Sequence, residues 1–315
     1  MFDERKYKQR FPFRLACPSF IYPADYLPNV QRLGPSMDEI ELLFLEGRCR
    51  EALPTPALIS ELAEIGRTMP LGYNVHLPTD IALTASDRGE ERLAAARLCQ
   101  VLDLVRPLEA SAHVLHLPWE GGDSGQGSVG GGQRAEIRDQ MSDVRGQRSE
   151  DRDQRVEGRG WRAGNGCGAV KADEDREAFL DAGLRGLEEL QKSGADLGGL
   201  VLENLEHYPV EWLEDVLEAS GLGLCLDLGH LLLQSRDLWA VYERNQHRIR
   251  IMHLHGVDQN QGQNKDHVGL HYLSPDHLPV VQSILTSFQG VLCLEVFNAQ
   301  DLEASLNVLE TLLNV

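Results

Sequence analysis

The sequence predicts an α/β protein folded as one eight-stranded (β/α) barrel, and three observations carry that prediction. Short apolar runs alternate with longer stretches of helical period, the pattern of a parallel sheet with helical crossovers. Eight such pairs can be counted. Once one Gly/Arg/Asp-rich stretch is set aside, about 260 residues remain, the usual size of a closed (β/α) barrel.

The elements run in order along the chain. A strand over 14–20 precedes a helix over 24–33. The next pair is 40–46 and 55–68, where Thr55-Pro56 is a helix start, with proline at an early helical position. The third is 71–77 and 87–105. The fourth strand, 112–117, is followed by residues 119–171, which hold thirteen of the chain's thirty glycines and almost no apolar periodicity. Such a segment buries too little surface to offset its chain entropy, so a disordered insertion is expected there. A helix over 175–192 resumes the pattern. Pairs at 200–204 and 209–219, then 222–228 and 237–246, follow. The seventh pair is 250–255 and 275–288, with Ser274-Pro275 as its helix start, and 291–297 with 302–313 closes the barrel.

Composition narrows the function classes. Across 315 residues the net charge is −19 at neutral pH, which opposes a phosphate backbone, so nucleic acid is not the expected partner. No apolar run approaches the roughly 20 residues needed to span a bilayer, and Met1-Phe-Asp-Glu-Arg-Lys is too charged for a secretory segment. A cytoplasmic protein with no membrane partner is expected. The six cysteines form no C-x-x-C pair, and Cys225 and Cys293 lie in apolar runs as small hydrophobes.

In a barrel of this kind the chemistry lies at the C-terminal ends of the strands. Here those positions are polar: Glu46, His76, His116, Glu203, Asp227, His253 and Glu295. A lone carboxylate after a strand is usually a helix cap or a solvated residue, and that reading is kept for Glu46. The other six converge on one small mouth, which is unfavourable without a cation. Asp227-Leu-Gly-His230 adds an imidazole through a glycine that lets the chain turn, and the loop after strand seven adds Lys265-Asp266-His267. His76, His116, Glu203, Asp227, His230, His253, Asp266, His267 and Glu295 exceed what one ion takes. Two or three divalent ions are therefore expected, zinc first, with manganese or iron as alternatives.

These residues resemble the xylose-isomerase-like TIM-barrel superfamily in its endonuclease IV branch. Several passages are similar to the cobamide-remodelling phosphodiesterases: 19–30 (SFIYPADYLPNV), 39–46 (EIELLFLE), 75–80 (VHLPTD), Leu202-Glu-Asn204, Asp227-Leu-Gly-His230, 253–257 (HLHGV), Lys265-Asp-His267 and 294–297 (LEVF). The resemblance covers nearly the whole chain apart from the insertion. It implies that His76, His116 and Glu203 hold a first metal, with Glu203 bridging to a second completed by Asp227, His253 and Glu295. His230, Asp266 and His267 hold a third. The endonuclease relatives carry the last pair as Asp-x-His, whereas here the two are adjacent, so His255 and His271 stand as alternatives to His267.

The activity implied is hydrolysis of the phosphodiester in the nucleotide loop of a cobamide, a small-molecule substrate. Glu203 and Lys265 take catalytic roles. Ser19, Tyr22 and His255 are the expected substrate contacts, with Phe20, Tyr22 and Tyr26 either walling a corrinoid or packing on the first helix. The alternatives are an abasic-site DNA endonuclease, a sugar isomerase or epimerase using Glu203, Asp227, His253 and Glu295 around one metal, and a non-catalytic corrinoid or metal carrier.

Overall fold

The computed structural model describes residues 7–119, 168–258 and 265–315. Eight parallel strands close into a barrel: β1 (Arg14–Pro18), β2 (Glu39–Leu43), β3 (Gly72–His76), β4 (His113–Leu115), β5 (Leu200–Glu203), β6 (Gly223–Asp227), β7 (Ile249–Leu254) and, after a short hairpin, β10 (Val291–Leu294). β10 pairs with both β1 and β7, so the sheet has no free edge. The expected eight-stranded parallel barrel is the observed fold.

The helices are α1 (Tyr26–Leu33), α2 (Pro56–Thr68), α3 (Arg88–Val105), α4 (Gly168–Lys192), α5 (Val210–Ser220), α6 (Leu228–Leu233), α7 (Leu238–Asn245), α8 (Leu278–Ser287) and α9 (Ala299–Leu313). The start signal at Thr55 acts as read, its side chain accepting from Leu58 N–H at 3.2 Å, and the structure adds a second cap in Asp87, which accepts from Gly89 and Glu90 N–H. Ser274-Pro275 does not start a helix. α8 begins at Leu278 with Pro279 in its first turn, and the Ser274 carbonyl instead accepts from His277 N–H in a turn. α4 begins at Gly168, seven residues before the expected 175. Of the expected insertion, 120–167 lies outside the described residues.

Two elements are additions to the sequence reading. Asp227 caps α6 directly off its strand, and β8 (Gly256–Asp258) pairs antiparallel with β9 (Lys265–Val268). That hairpin carries the chain after β7 back toward the barrel mouth. No helix among the described residues is long and apolar enough to cross a membrane.

The main apolar core lies between sheet and helices, with Leu42, Leu202, Leu226 and Leu254 of the strands meeting Leu62, Leu98, Leu213 and Leu306 of the helices. α4 docks closely enough that a Cβ on Gly186 would lie 2.4 Å from the Leu83 carbonyl oxygen. Gly186→Ala should therefore destabilise the protein by about 1–3 kcal/mol, overcoming the ~1 kcal/mol helix-propensity gain, as read by denaturant unfolding.

Candidate metal centre

Strand parity places the polar side chains. Successive residues on a strand point to opposite faces, so a residue two beyond an inward one points inward again. Val114, Val201, Cys225, Ile251 and Cys293 belong to a small buried cluster separate from the main core. Two residues beyond each stand His116, Glu203, Asp227, His253 and Glu295. The polar mouth is thus the next layer above a packed interior.

Three groups of ligand atoms without a cysteine result, the atoms of each lying within 4.8 Å of one another. In the first, His76 Nε2 is 3.1 Å from His116 Nε2 and 3.1 Å from Glu203 Oε2, while His116 Nε2 is 2.8 Å from the same oxygen. Ligands on one zinc, at bonds of 2.0–2.1 Å, stand about 3.3 Å apart. His76 Nδ1 donates to the Leu77 carbonyl at 3.0 Å, so the ring turns Nε2 toward the other two groups, where its neutral form offers a lone pair.

The second group joins Glu203, Asp227, His253 and Glu295, all buried. His253 Nδ1 is 3.2 Å from Glu203 Oε1, 3.2 Å from Glu295 Oε2 and 3.9 Å from Asp227 Oδ2. Glu203 therefore turns one oxygen to each of the first two groups. The third group is Asp227, His230, His255 and His267, so Asp227 is also shared. Its Oδ1 accepts His230 N–H at 2.7 Å as the cap of α6 and lies 3.4 Å from His255 Nε2. His230 Nδ1 donates to the Asn204 carbonyl at 2.8 Å, leaving Nε2 facing Glu206 Oε2 at 3.5 Å. His267 Nε2 is 3.2 Å from Glu295 Oε2, and its ring stacks on His255 with centroids 3.9 Å apart.

Burial raises the proton affinity of Glu203, but His253 and His116 beside it hold the carboxyl well below the usual carboxylate range. Burial likewise opposes charge on His253, yet the acids around it push the ring well above an ordinary imidazole. Against burial, Asp227, Glu206 and Glu203 bring His230 up to about 9. In His116 burial prevails, and its basicity is lowered. Among the described residues, Asp227 Oδ2 is buried with no hydrogen-bond partner. Buried carboxylates and imidazole lone pairs facing one another at ligand spacing fit divalent cations, which would satisfy that oxygen and replace the protons.

The structure brings together eight of the nine sequence-identified ligands and adds His255. Asp266 stands outside the three groups, its Oδ1 3.5 Å from His267 Nδ1, where it orients the ring. His271 is exposed on the turn Leu270–Tyr272, against Tyr272. Lys265 is exposed at the start of β9. Ser19 is fully buried, and its hydroxyl accepts Leu43 N–H at 3.2 Å, joining β1 to the end of β2. Phe20 and Tyr26 are core residues with ring centroids 4.9 Å apart, whereas Tyr22 is half-buried under the Arg32 guanidinium at 3.6 Å. Glu46 is exposed, in keeping with a solvated residue.

Sequence reasoning missed two supporting residues. Glu41 on β2 reaches His253 Nε2 at 3.0 Å, and parity from Glu39 in EIELL was the available signal. Asn204 clamps β5 to β6, accepting Asp227 N–H at 2.8 Å and donating to the Asp227 carbonyl at 3.0 Å. The role of Gly229 also differs from a free turn. It sits inside α6, and a Cβ there would lie 2.1 Å from His255 Cε1, so the ring requires its absence.

No family model matches this chain, and no curated protein matches it. Solved structures do. A D-tagatose 3-epimerase-like protein is 14% identical with TM-score 0.64, covering 96% of this chain and 97% of that one. Endonuclease IV from Thermus thermophilus is 14% identical with TM-score 0.57, covering 96% and 99%. IolI protein with a bound zinc atom is 11% identical with TM-score 0.59, covering 96% and 98%. What these proteins share with this chain is the barrel fold.

Two predictions concern the centre. Gly229→Ala should displace His255 and lower zinc uptake, measured on the purified variant by metal analysis. In metal-stripped protein, the stability contributed by charged His230 is complete below its unfolded value of about 6.5 and lost as pH rises through about 9. Thermal melts should therefore fall over that window in stripped protein, while zinc stabilises it increasingly as the competing protons leave.

Proposed function

We propose that the protein is a metal-dependent phosphodiesterase acting on the nucleotide loop of a cobamide. One observation carries the hydrolase reading: Glu203 and Asp227 each belong to two of the three cysteine-free ligand groups, linking all three into one continuous set. A single-metal epimerase needs only Glu203, Asp227, His253 and Glu295 and leaves His76, His116, His230 and His267 without a role. The spread of ligands suits phosphodiester hydrolysis, in which charge develops on several oxygens at once.

Divalent ions in this set would supply an activated water near neutral pH and stabilise negative charge on the phosphoryl and leaving oxygens. The chain's own residues arrange the rest. Glu203 stays ionised and ties the first group to the second. Asn204 and the α6 cap hold Asp227 so that Oδ2 faces the mouth. Lys265, exposed on β9, is assigned to the substrate phosphate, where a cation opposes the charge that builds as water attacks phosphorus and the P–O bond breaks. The attacking water gives its hydroxyl to phosphorus, and the proton it releases balances the one the leaving oxygen takes up from solvent.

The cobamide as substrate rests on the passages 19–30 and 39–46 in the sequence. With Phe20 and Tyr26 in the core, Tyr22 is the aromatic of that segment left partly exposed to meet a corrinoid. The acidic balance of the chain supports a small-molecule substrate over a duplex.

Purified, metal-analysed protein incubated with adenosylcobalamin should release the lower-ligand nucleoside moiety, separated by chromatography, and carry two or three metal ions per chain. Glu203→Gln should abolish release, by at least about 100-fold, and reduce bound metal in parallel. An active Glu203→Gln enzyme defeats the mechanism. About one ion per chain with an intact cobamide favours the epimerase reading, and incision of abasic duplex favours the endonuclease reading.

A further inference from the structure

Two glutamates of β2 lie inside the barrel, and their surroundings differ. Glu39 is met by Arg14, by the Ser111 hydroxyl at 2.8 Å and by the Asn74 amide at 3.2 Å. Glu41 stands two residues further toward the mouth, and no arginine or lysine among the described residues pairs with it. It is fully buried, its Oε2 lies 3.0 Å from His253 Nε2, and its Oε1 has no hydrogen-bond partner among the described residues. Cys293, also buried, completes a group with Glu41 and His253. His253 is thus the polar partner of Glu41 and, on its opposite edge, faces Glu203, Glu295 and Asp227.

An imidazole has two nitrogens, and only an unprotonated one can bind a metal. Here one edge meets one carboxylate from below, and the other meets three from the mouth. We propose that Glu41 is a positioning residue for the metal centre: it accepts the Nε2–H of His253 and thereby presents the Nδ1 lone pair to the site formed by Glu203, Asp227 and Glu295. The inference rests on those residues holding a metal, and it holds whichever substrate the protein takes. A carboxylate behind a ligand histidine also makes the ring a stronger donor to the metal. A glutamine retains the size of Glu41 but not the charge, and its amide presents N–H groups to Nε2 as readily as its oxygen.

The test uses the full-length chain stripped of metal and titrated with zinc alone against a chromophoric chelator. Glu41→Gln should bind zinc about 10–100-fold more weakly than the parent, the range typical for loss of an outer partner of a ligand histidine. Cobalt(II) substituted into the two proteins should give different visible spectra, because the donor strength of one ligand changes. Long-range proton–nitrogen NMR of the zinc-loaded parent protein should show His253 protonated at Nε2 and bound to metal through Nδ1. That measurement decides the matter by itself if the variant does not fold. Equal zinc affinity and identical cobalt spectra in parent and variant, or zinc on Nε2 of His253, overturn the proposal. Failure of the parent protein to take up zinc or cobalt overturns the metal centre together with it, whereas normal uptake without cobamide cleavage leaves the proposal standing and removes only the phosphodiesterase reading.

Discussion

The constraint on which this molecule depends is the neutralisation of buried charge at one end of the barrel. His76, His116, His230, His253, His255 and His267 share the mouth with Glu203, Asp227 and Glu295, and only His116 among the nine is more than slightly exposed. Several rings already commit their outer nitrogen to the protein: His76 to the Leu77 carbonyl, His230 to the Asn204 carbonyl, His253 to Glu41. Their remaining nitrogens face carboxylate oxygens or each other. Protons satisfy this arrangement in part, and divalent ions would satisfy it in full.

The barrel beneath supports the arrangement. Small and medium apolar residues, including Ala16, Val201, Cys225 and Cys293, fill the interior one layer below the candidate ligands. Burial pushes the thiols of Cys225 and Cys293 well above their ordinary range, so they remain neutral packing groups beside His253. The strands are fixed on both sides by closure, and Asn204 and the α6 cap lock the β5 and β6 ends. The geometry is held by backbone carbonyls and by buried side chains, Asn204 and Glu41 among them.

Much of this was legible in the sequence because the candidate ligands end apolar runs. His76, His116, Glu203, Asp227, His253 and Glu295 each follow a hydrophobic strand, and a closed barrel leaves such residues one direction to face. Glu41 was less visible. Its strand ends at Leu43, so counting from Glu46 selected an exposed residue and passed over the inward one. The adjacency of Asp266 and His267 also concealed which of them turns inward. His267 adopts φ 53° and reaches Glu295, while Asp266 is left at the rim. The β8–β9 hairpin that delivers His267 and the ring packed against Gly229 are contacts between distant segments, and no local pattern encodes them.

The most direct measurement is an anomalous difference map from crystals of the purified protein, recorded above and below the zinc, iron and manganese absorption edges. Peaks at two or three neighbouring positions are predicted, one touching His76, His116 and Glu203, the next Glu203, His253 and Glu295, and the last adjoining His230. A solitary peak, or density elsewhere than between these side chains, contradicts a shared multi-ion centre.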